Sequence, residues 1–439
     1  MKLKNYTNIK NSFFKELNSL KSKGFISFVL STSISRAISF LSIMFLARIL
    51  TKSDYGLLSY VDNIRNYVLI VNGLGFSNVI LRYCSQNDAL SSNKGFLHIS
   101  LIIGIIFDVV IISISILLFI VINFDYPDAN IYLVNLALFP LFYYVFESLQ
   151  MFFRATFNNK TFSLVTVIYS VLMISFQIIL GYYFEIFGII YGRYFAILIS
   201  LVIAIIMYLR KYKDKSIVIY PKKKEIFRMI SLGLSFLVAG ASSTMITYNE
   251  TIVVSRFTLN KVVLADYKAA TMILQITYFF INSIVLFVFP YFVRNKTNLL
   301  WIKQNSTKLI KYLAVLMLPI HLILFIFMNL VIFIIFGESY LSAVGLARLI
   351  LVSSLIQTIF RMPLGNVLIA IGKEKANVVI NLMSLFVHFG LVYYLTSIYS
   401  VEGALIATMI IYALSSLVMY VVLKKYVKGS DLNEFSPSN

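Results

Sequence analysis

The segment from Leu50 to Asp88, LTKSDYGLLSYVDNIRNYVLIVNGLGFSNVILRYCSQND, decides what kind of protein this chain can form. Its central part is apolar enough and long enough to cross a lipid bilayer. On a helix, however, Asp62, Arg65 and Asn66 share one face. An ionised side chain at membrane depth is costly unless it faces protein or water. We therefore expect this face to line an interior that the rest of the chain builds.

The composition indicates an integral membrane protein. Of the 439 residues, 60% are hydrophobic and only 13% are charged, whereas about a quarter of the residues in soluble globular proteins are charged. The net charge of +20 lies mostly in the loops of one side, so we interpret it as a signal of membrane orientation and expect no nucleic-acid partner. The single cysteine, Cys84, excludes an internal disulfide. The three histidines, His98, His321 and His388, lie far apart, predict no metal site and are interpreted as packed or interfacial side chains.

The hydrophobic pattern predicts an all-α membrane protein with about twelve membrane-spanning helices, each of roughly 20 to 30 residues. Their approximate bounds are Gly24–Leu50, Tyr55–Val79, Gly95–Ile122, Asn130–Phe153, Thr161–Phe184, Phe187–Leu209, Ile226–Val254, Val262–Phe292, Leu309–Phe336, Leu341–Ile371, Ala376–Ile398 and Ala404–Val427. An even number of spans places both ends of the chain on the same side of the membrane.

The loops between these spans alternate in charge. One side holds the basic lead that ends at Lys23, the basic run from Arg210 to Arg228 and the turn GKEK from Gly372 to Lys375. Loops of the other side, such as NFDYPDAN from Asn123, hold few lysines or arginines or none. By the positive-inside rule, the basic loops and both termini are cytoplasmic.

The chain also shows a weak internal repeat at a shift of about 212 to 215 residues. The segment DYGLLSYVDNI from Asp54 aligns with DYKAATMILQI from Asp266, and six spans fall in each half. This pattern predicts two six-helix lobes related by an axis along the membrane normal, a transporter design with a substrate site between the lobes. The predicted divisions are a basic lead (1–23), an N-terminal lobe (24–209), a basic cytoplasmic linker (210–225), a C-terminal lobe (226–427) and a cytoplasmic tail (428–439).

Charged side chains within the predicted spans are the candidate functional residues. The cations are Arg36, Arg65, Arg193, Lys268, Arg348 and Arg361. The acids are Asp62, Asp108, Glu147, Glu250 and Asp266. Each charge could be neutralised by a neighbour and serve packing alone. The excess of cations favours instead a wet, cationic cleft for an anionic cargo, because the arginine fork grips phosphate through two parallel hydrogen bonds.

We expect neither enzymatic activity nor a cofactor. The sequence has no GxxxxGK[ST] phosphate loop, no HExxH and no GxSxG. Energy would therefore come from an ion gradient, the membrane potential or downhill flow of cargo. Acids at membrane depth are the usual carriers of such coupling, so we expect an acid of the spans to bind H⁺ or Na⁺. The first four candidates are Asp62, Asp108, Glu147 and Asp266, with Glu250 as a further candidate.

Motifs spread over nearly the whole chain carry a family resemblance. They are LARILTKSDYGLLSY at the end of the first span, NGLGFSNVILRY closing the second, DYKAA after the seventh, PYFVR ending the eighth, FGESYLSA after the ninth and GKEK after the tenth. With the basic lead, this pattern resembles the Wzx-type O-antigen and polysaccharide flippases of the multidrug/oligosaccharidyl-lipid/polysaccharide (MOP) exporter superfamily. The resemblance implies twelve spans in two six-helix lobes around a central cationic cavity.

The resemblance also implies a function. The chain would move an undecaprenyl-diphosphate-linked oligosaccharide repeat unit from the cytoplasmic to the outer leaflet of the bacterial inner membrane by alternating access. Its partners would be this glycan, membrane lipids, and a polymerase and chain-length regulator of the same pathway. By position, Arg36 and Arg65 would contact the diphosphate or acidic sugars. The path would be lined by Arg193, Arg348 and Arg361, with Lys268 nearer the outer face.

Three alternative functions remain open on the sequence. A drug/cation antiporter of the same superfamily would need an anionic cleft, whereas this one is predicted to be cationic. A lipid II flippase of the same fold resembles fourteen-span chains rather than twelve-span chains. A membrane glycosyltransferase or ligase would need large outer loops with acidic catalytic residues, and the predicted outer loops are short.

Overall fold

The computed structural model describes residues 25–86, 89–213 and 217–428. Nearly all of these residues are helical, and none of them forms a β-strand. The predicted all-α class is therefore confirmed. The predicted basic lead (1–23) and the tail beyond Lys428 lie outside the described residues.

The helices follow one another through short turns. In chain order they are α1 (Phe25–Ile49), α2 (Lys52–Val71), a 3₁₀ turn (Asn72–Gly75), α3 (Phe76–Ser85), α4 (Leu90–Val121), α5 (Ala129–Leu136), α6 (Phe139–Ala155), α7 (Asn159–Lys211), α8 (Lys223–Thr258), α9 (Lys261–Arg294), α10 (Leu299–Ile326), α11 (Met328–Phe336), a 3₁₀ turn (Glu338–Ala343), α12 (Val344–Ile356), a π turn (Gln357–Arg361), α13 (Met362–Ala370) and α14 (Glu374–Lys428). Eight helical segments of the described residues are long and apolar enough to cross a membrane.

Two of these segments each contain two of the predicted spans. Helices α7 and α14 have 53 and 55 residues, and a straight helix of that length would measure about 80 Å, more than twice the thickness of the hydrocarbon core. Both are interrupted near the middle by non-helical backbone. The count of twelve spans stays a prediction, and these interruptions lie where it places two of the turns.

The interruption in α7 is the turn of an antiparallel hairpin. Glu185 has φ 51° and ψ −131°, a left-handed conformation that ordinarily favours glycine. Beyond the turn, the two arms touch through their backbones. A Cβ atom on Gly188 would lie 1.9 Å from the carbonyl oxygen of Leu180, and one on Gly192 would lie 2.7 Å from that of Phe176. Small residues at such contacts let the helices approach closely.

The same geometry recurs 215 positions later in the chain. Ser400 has φ 53° and ψ −134°, and a Cβ atom on Gly403 would lie 2.1 Å from the carbonyl oxygen of Leu395. A second pair of left-handed residues, Phe157 (φ 53°) and Gly372 (φ 81°), shows the same offset. The local backbone thus repeats at the shift that the sequence alignment predicts.

Contacts between Cα atoms divide the chain into two compact units. Unit 1 comprises Met1–Leu50 and Arg65–Val238, and unit 2 comprises Thr51–Ile64 and Ala239–Asn439. The boundaries fall inside α2, after Ile64, and inside α8, after Val238. Each of these helices therefore contributes one part to each unit.

Unit 1 is built around two groups of helices. Helix α1 packs along α7, and α3, α4 and α6 pack together. Tyr144 lies fully buried in the second group. Its hydroxyl donates to the carbonyl oxygen of Ser100 at 2.6 Å, and its ring fills the space beside Gly73 and Gly104, where a Cβ atom would come within 2.1 and 2.2 Å of it. These two glycines thus make room for the ring that joins the three helices.

Unit 2 packs α9, α12 and α13 with α14. Its main apolar cluster contains Ile281, Ile302, Met317 and Leu368, each fully buried. Trp301 packs against this cluster from the start of α10. Lipid is as apolar as the helix surface, so burying these side chains stabilises the contacts between helices through close packing and not by removing apolar surface from water.

Replacing Gly403 with alanine should destabilise the hairpin of α14. The new methyl group would collide with the carbonyl oxygen of Leu395, and such overpacking costs about 1–3 kcal/mol. Thermal unfolding of the purified protein in detergent measures the change. Gly390 lies in the same helix, and a Cβ atom added there would have no described side chain or neighbouring helix within 4 Å. Gly390→Ala is therefore the matched control and should be neutral or slightly stabilising. Equal stability of the two variants would contradict the hairpin contact.

Candidate functional site

Arg36 lies on α1 with an exposed side chain. The neighbouring polar residues point toward α7, where the hydroxyl of Ser31 donates to that of Ser163 at 3.0 Å. Arg36 itself has no hydrogen-bond or ion-pair partner among the described residues. Its guanidinium is therefore available to an external anion.

Arg65 is the first residue of α2 that belongs to unit 1. Its Nη2 atom donates to Oδ1 of Asn66 at 3.2 Å, and its guanidinium lies 5.6 Å from the ring centre of Phe139, within range of a cation–π interaction. It lines a pocket of about 10 Å³ with Ser115 and apolar side chains. That volume holds at most one water molecule, so this pocket itself is not a cargo site.

Arg193 is held between the two arms of the α7 hairpin. The side chain is 4% exposed, and its Nε atom donates to Oε1 of Gln177 at 3.0 Å. The amide of Gln177 in turn contacts the hydroxyl of Ser42 on α1 at 3.5 Å. The hydroxyl of Tyr169 interacts electrostatically with both Arg193 and Arg65. Unit 1 thus brings these two predicted cations to one neighbourhood.

The predicted cations of unit 2 do not form one cluster. Arg348 donates from Nε to the carbonyl oxygen of Phe325 at 3.2 Å and lies over its ring at 5.3 Å. This carbonyl belongs to the last turn of α10, where a cation satisfies unpaired backbone oxygens. Lys268 lies partly buried on α9.

Arg361 ends the π turn between α12 and α13. Its Nε atom donates to the hydroxyl of Ser415, and its Nη2 atom donates to Oδ1 of Asn381, both at 3.0 Å. The guanidinium also lies 4.9 Å from the ring centre of Tyr412. All three partners are neutral, so these contacts orient the positive charge without cancelling it. Single π turns within helices occur frequently at functional sites.

Asp108 lies beside the interruption between α2 and α3. Gly73, Leu74 and Gly75 all have positive φ there, and the amide N–H of Gly73 donates to Oδ1 of Asp108 at 2.6 Å. Asp108 is 1% exposed, and its Oδ2 atom has no hydrogen-bond partner within the part of the chain that the structure describes. Broken helices in transporters place free backbone groups at ion or substrate sites.

A second predicted acid, Glu147, shares this neighbourhood. It interacts electrostatically with Asp108 and lies beside the side chain of Ser77. The side chain of Asn72 is buried, and neither its oxygen nor its nitrogen forms a hydrogen bond with any described residue. Unit 1 thus joins two of the predicted acids beside an irregular stretch of a spanning segment.

The charge of Asp266 is compensated by Lys52, which lies between the first two predicted spans. The Nζ atom of Lys52 lies 2.7 Å from Oδ1 of Asp266, and the hydroxyl of Ser342 donates to Oδ2 at 2.8 Å. Lys52 also donates to the carbonyl oxygen of Ser339 at 2.8 Å. Asp62, the other acid of α2, is partly buried and interacts electrostatically with Tyr55. The Asp266 site therefore ties the start of α2 to the rest of unit 2.

Glu250 lies in a site formed by α8, α9 and α14. The carboxylate accepts hydrogen bonds from the hydroxyls of Tyr267 and Thr408. The Nε2 atom of His388 lies 3.4 Å from its Oε1 atom. Glu250 is 4% exposed, and His388 is completely buried.

Two of these partners were missed by sequence reasoning. His388 is packed, as predicted, but it also faces a carboxylate, and Lys52 forms an ion pair across unit 2. The internal repeat aligns equivalent positions and not contacts, so it gave no signal for the pairing of Lys52 with Asp266. No sequence signal links His388 to Glu250.

The chain is similar to known proteins in sequence and in fold. Residues 22–296 match the family model described as polysaccharide biosynthesis protein. Among solved structures, an inward-facing multidrug resistance MATE family transporter of the MOP superfamily matches with a TM-score of 0.73 and 14% identity, over 93% of this chain and 100% of that one. The lipid II flippase MurJ in an inward closed conformation matches with a TM-score of 0.75 and 14% identity, over 94% of each chain.

A third solved structure, a MOP superfamily transporter from Pyrococcus furiosus, matches with a TM-score of 0.64 and 15% identity, over 93% of this chain and 96% of that one. At these identities the likeness is one of fold. No curated protein sequence matches the chain.

Breaking the Lys52–Asp266 pair should reveal energetic coupling between the two side chains. They are 16% and 11% exposed, so solvent screens the pair only in part, and we expect a coupling of about 1–2 kcal/mol. A double-mutant cycle with Lys52→Met, Asp266→Asn and the double variant, followed by thermal unfolding in detergent, measures it. Additive losses would show that the two charges do not interact.

Proposed function

The chain belongs to the polysaccharide biosynthesis protein family, and from this premise we propose that it is a flippase for undecaprenyl-diphosphate-linked oligosaccharide repeat units. The cargo would be a precursor of O-antigen or a related surface polysaccharide. It would move from the cytoplasmic to the outer leaflet of the bacterial inner membrane. The fold shared with MOP transporters supports a transport function rather than an enzymatic one.

The observation that carries this proposal is the surplus of cations within the spans. The predicted spans contain six basic residues and five acids. One of these acids, Asp266, forms an ion pair with Lys52, which is not one of the six basic residues. Excess positive charge at membrane depth is costly unless an anion compensates it. A lipid diphosphate is such an anion, and its headgroup can enter a wet cleft while its hydrocarbon tail remains in the bilayer.

We assign the first contacts with the diphosphate to Arg36 and Arg65. Arg36 is exposed on α1, and Arg65 is partly buried on α2. Arg193 and Arg361 are each oriented by hydrogen bonds to neutral groups, and we propose that they line the path with Lys268. We assign Arg348 to helix capping, because its guanidinium already binds the carbonyl oxygen of Phe325.

In this mechanism the cargo site would open first to the cytoplasm and then to the outside. Both termini would be cytoplasmic, and the glycan would pass to a polymerase and chain-length regulator after release. The energy would come from an H⁺ or Na⁺ gradient acting on an acid within the spans.

Replacing Arg36 or Arg65 with alanine should abolish most transport while leaving the protein in the membrane. Each change removes a charged contact with the diphosphate, which contributes about 1.5–3 kcal/mol and hence roughly tenfold or more in binding. Surface glycan in a deletion strain carrying each variant measures transport, and immunoblots of isolated membranes measure the amount of protein. Arg65→Lys should also transport poorly, because lysine lacks the planar fork.

The control is Arg294→Ala, which removes an exposed arginine at the end of α9 and should leave surface glycan unchanged. Full glycan display by both the Arg36 and the Arg65 variant would contradict the proposed contacts. Loss of cell-wall precursor transport instead of surface glycan in the deletion strain would identify a lipid II flippase. Increased drug sensitivity alone would identify a drug antiporter.

A further inference from the structure

The site around Glu250 has a composition suited to holding a proton. We propose that Glu250 and His388 together form the proton-binding site through which a transmembrane proton gradient drives this protein. The inference rests on the proposed function, because it names the ion and the residues that would supply its energy. It also assigns ion coupling to Glu250, which was a further candidate in the sequence, instead of to the four acids that the sequence favoured first.

The site around the pair brings together two consecutive helices, α8 and α9, with the distant helix α14. Glu250 comes from α8, Tyr267 from α9, and both His388 and Thr408 from the two arms of α14. His388 Nε2 also lies 3.1 Å from the hydroxyl of Thr408. A change of charge at this site therefore acts on several helices of unit 2 at once.

The donors around Glu250 favour a proton over a sodium ion. Hard metal cations are bound by several oxygen atoms acting as ligands. Here both carboxylate oxygens already accept hydrogen bonds from the hydroxyls of Tyr267 and Thr408, so a metal ion would have to displace these bonds. A further neighbour is the imidazole of His388, which can both donate and accept a proton through its two ring nitrogens.

His388 offers one further proton position. Its Nδ1 atom is buried and has no hydrogen-bond partner among the described residues, whereas buried polar atoms are normally paired. In the state without the extra proton, the pair consists of a carboxylate and a neutral imidazole, with a net charge of −1. Uptake of one proton brings the pair to zero, and its release restores the charge without any other bond changing.

The surrounding titratable and charged groups connect the pair to Arg361. Tyr412 on α14 and Tyr278 on α9 both interact electrostatically with Glu250 and with Arg361. Tyr278 also donates to Gln357 in the π turn, and Tyr267 is a further titratable neighbour of Glu250. Charge interactions are strong where water is excluded. Loading the pair with a proton thus changes the electrostatic environment of a cation assigned to the cargo path.

Spectroscopy on the purified protein tests proton binding without any cargo. Infrared difference spectra between high and low pH should show a protonated carboxyl band that is absent from Glu250→Gln. In spectra of protein labelled with ¹⁵N-histidine, the signal lost in His388→Gln identifies His388, and its titration should shift in Glu250→Gln. A titration of His388 that is identical with and without the Glu250 carboxylate would overturn the shared site.

Transport in proteoliposomes tests the coupling. For one proton per cargo, a gradient of one pH unit should give up to about a tenfold steady-state accumulation of the lipid-linked glycan. Glu250→Gln and His388→Gln should lower this ratio to about one while still equilibrating cargo between the leaflets. Glu402→Gln is the matched control, because it changes an exposed carboxylate on α14, and it should retain the accumulation.

The remaining outcomes separate the two proposals. Accumulation driven by a sodium gradient, or by a proton gradient in both variants, would overturn the coupling site while leaving the flippase intact. Absence of glycan movement in the wild-type protein would overturn the proposed function, and the infrared and ¹⁵N spectra would still decide whether the pair binds a proton. Size-exclusion profiles establish that each variant is folded. If one of the two variants fails to fold, the other still tests the coupling site.

Discussion

The cost of placing charge at membrane depth governs this structure. Lipid supplies neither hydrogen bonds nor counter-ions, so each charged group in a span needs a partner from the protein or from water. The solutions differ from residue to residue. Lys52 and Asp266 pair directly, Asp108 takes a backbone N–H, Arg193 uses a neutral amide, and Arg36 is left exposed. The kind of partner therefore decides how much of each charge stays available to a ligand.

Irregular backbone and functional chemistry coincide in both units. In unit 1, three left-handed residues interrupt a span beside Asp108. In unit 2, a π turn ends at Arg361, close to the tyrosines that face Glu250. Regular helices pair their own backbone N–H and C=O groups. Irregular backbone at membrane depth is therefore tolerated only where other protein groups or water supply the missing hydrogen bonds. The two interruptions thus mark polar interiors of the kind that the charged helix faces predict.

The sequence predicted the helical class and the positions of long apolar segments, because hydrophobic length and periodicity are local properties of the chain. It also found the charged residues themselves. It did not predict their partners. Whether Arg348 meets a carbonyl oxygen or a cleft depends on the rotation and depth of α12 against α10, and the meeting of Glu250 with His388 depends on helices 138 positions apart in the chain. Such details are set by packing, which no local pattern encodes.

The tight turns at Glu185 and Ser400 have a bearing on biogenesis. Each joins two arms that are predicted to cross the membrane, with hardly any residues between them, and glycines let the arms touch through their backbones. Because no loop separates the two arms, the first arm cannot cross the bilayer fully before the second arm begins to insert. We therefore expect the two arms of each hairpin to insert into the membrane together, as one helical hairpin, during synthesis.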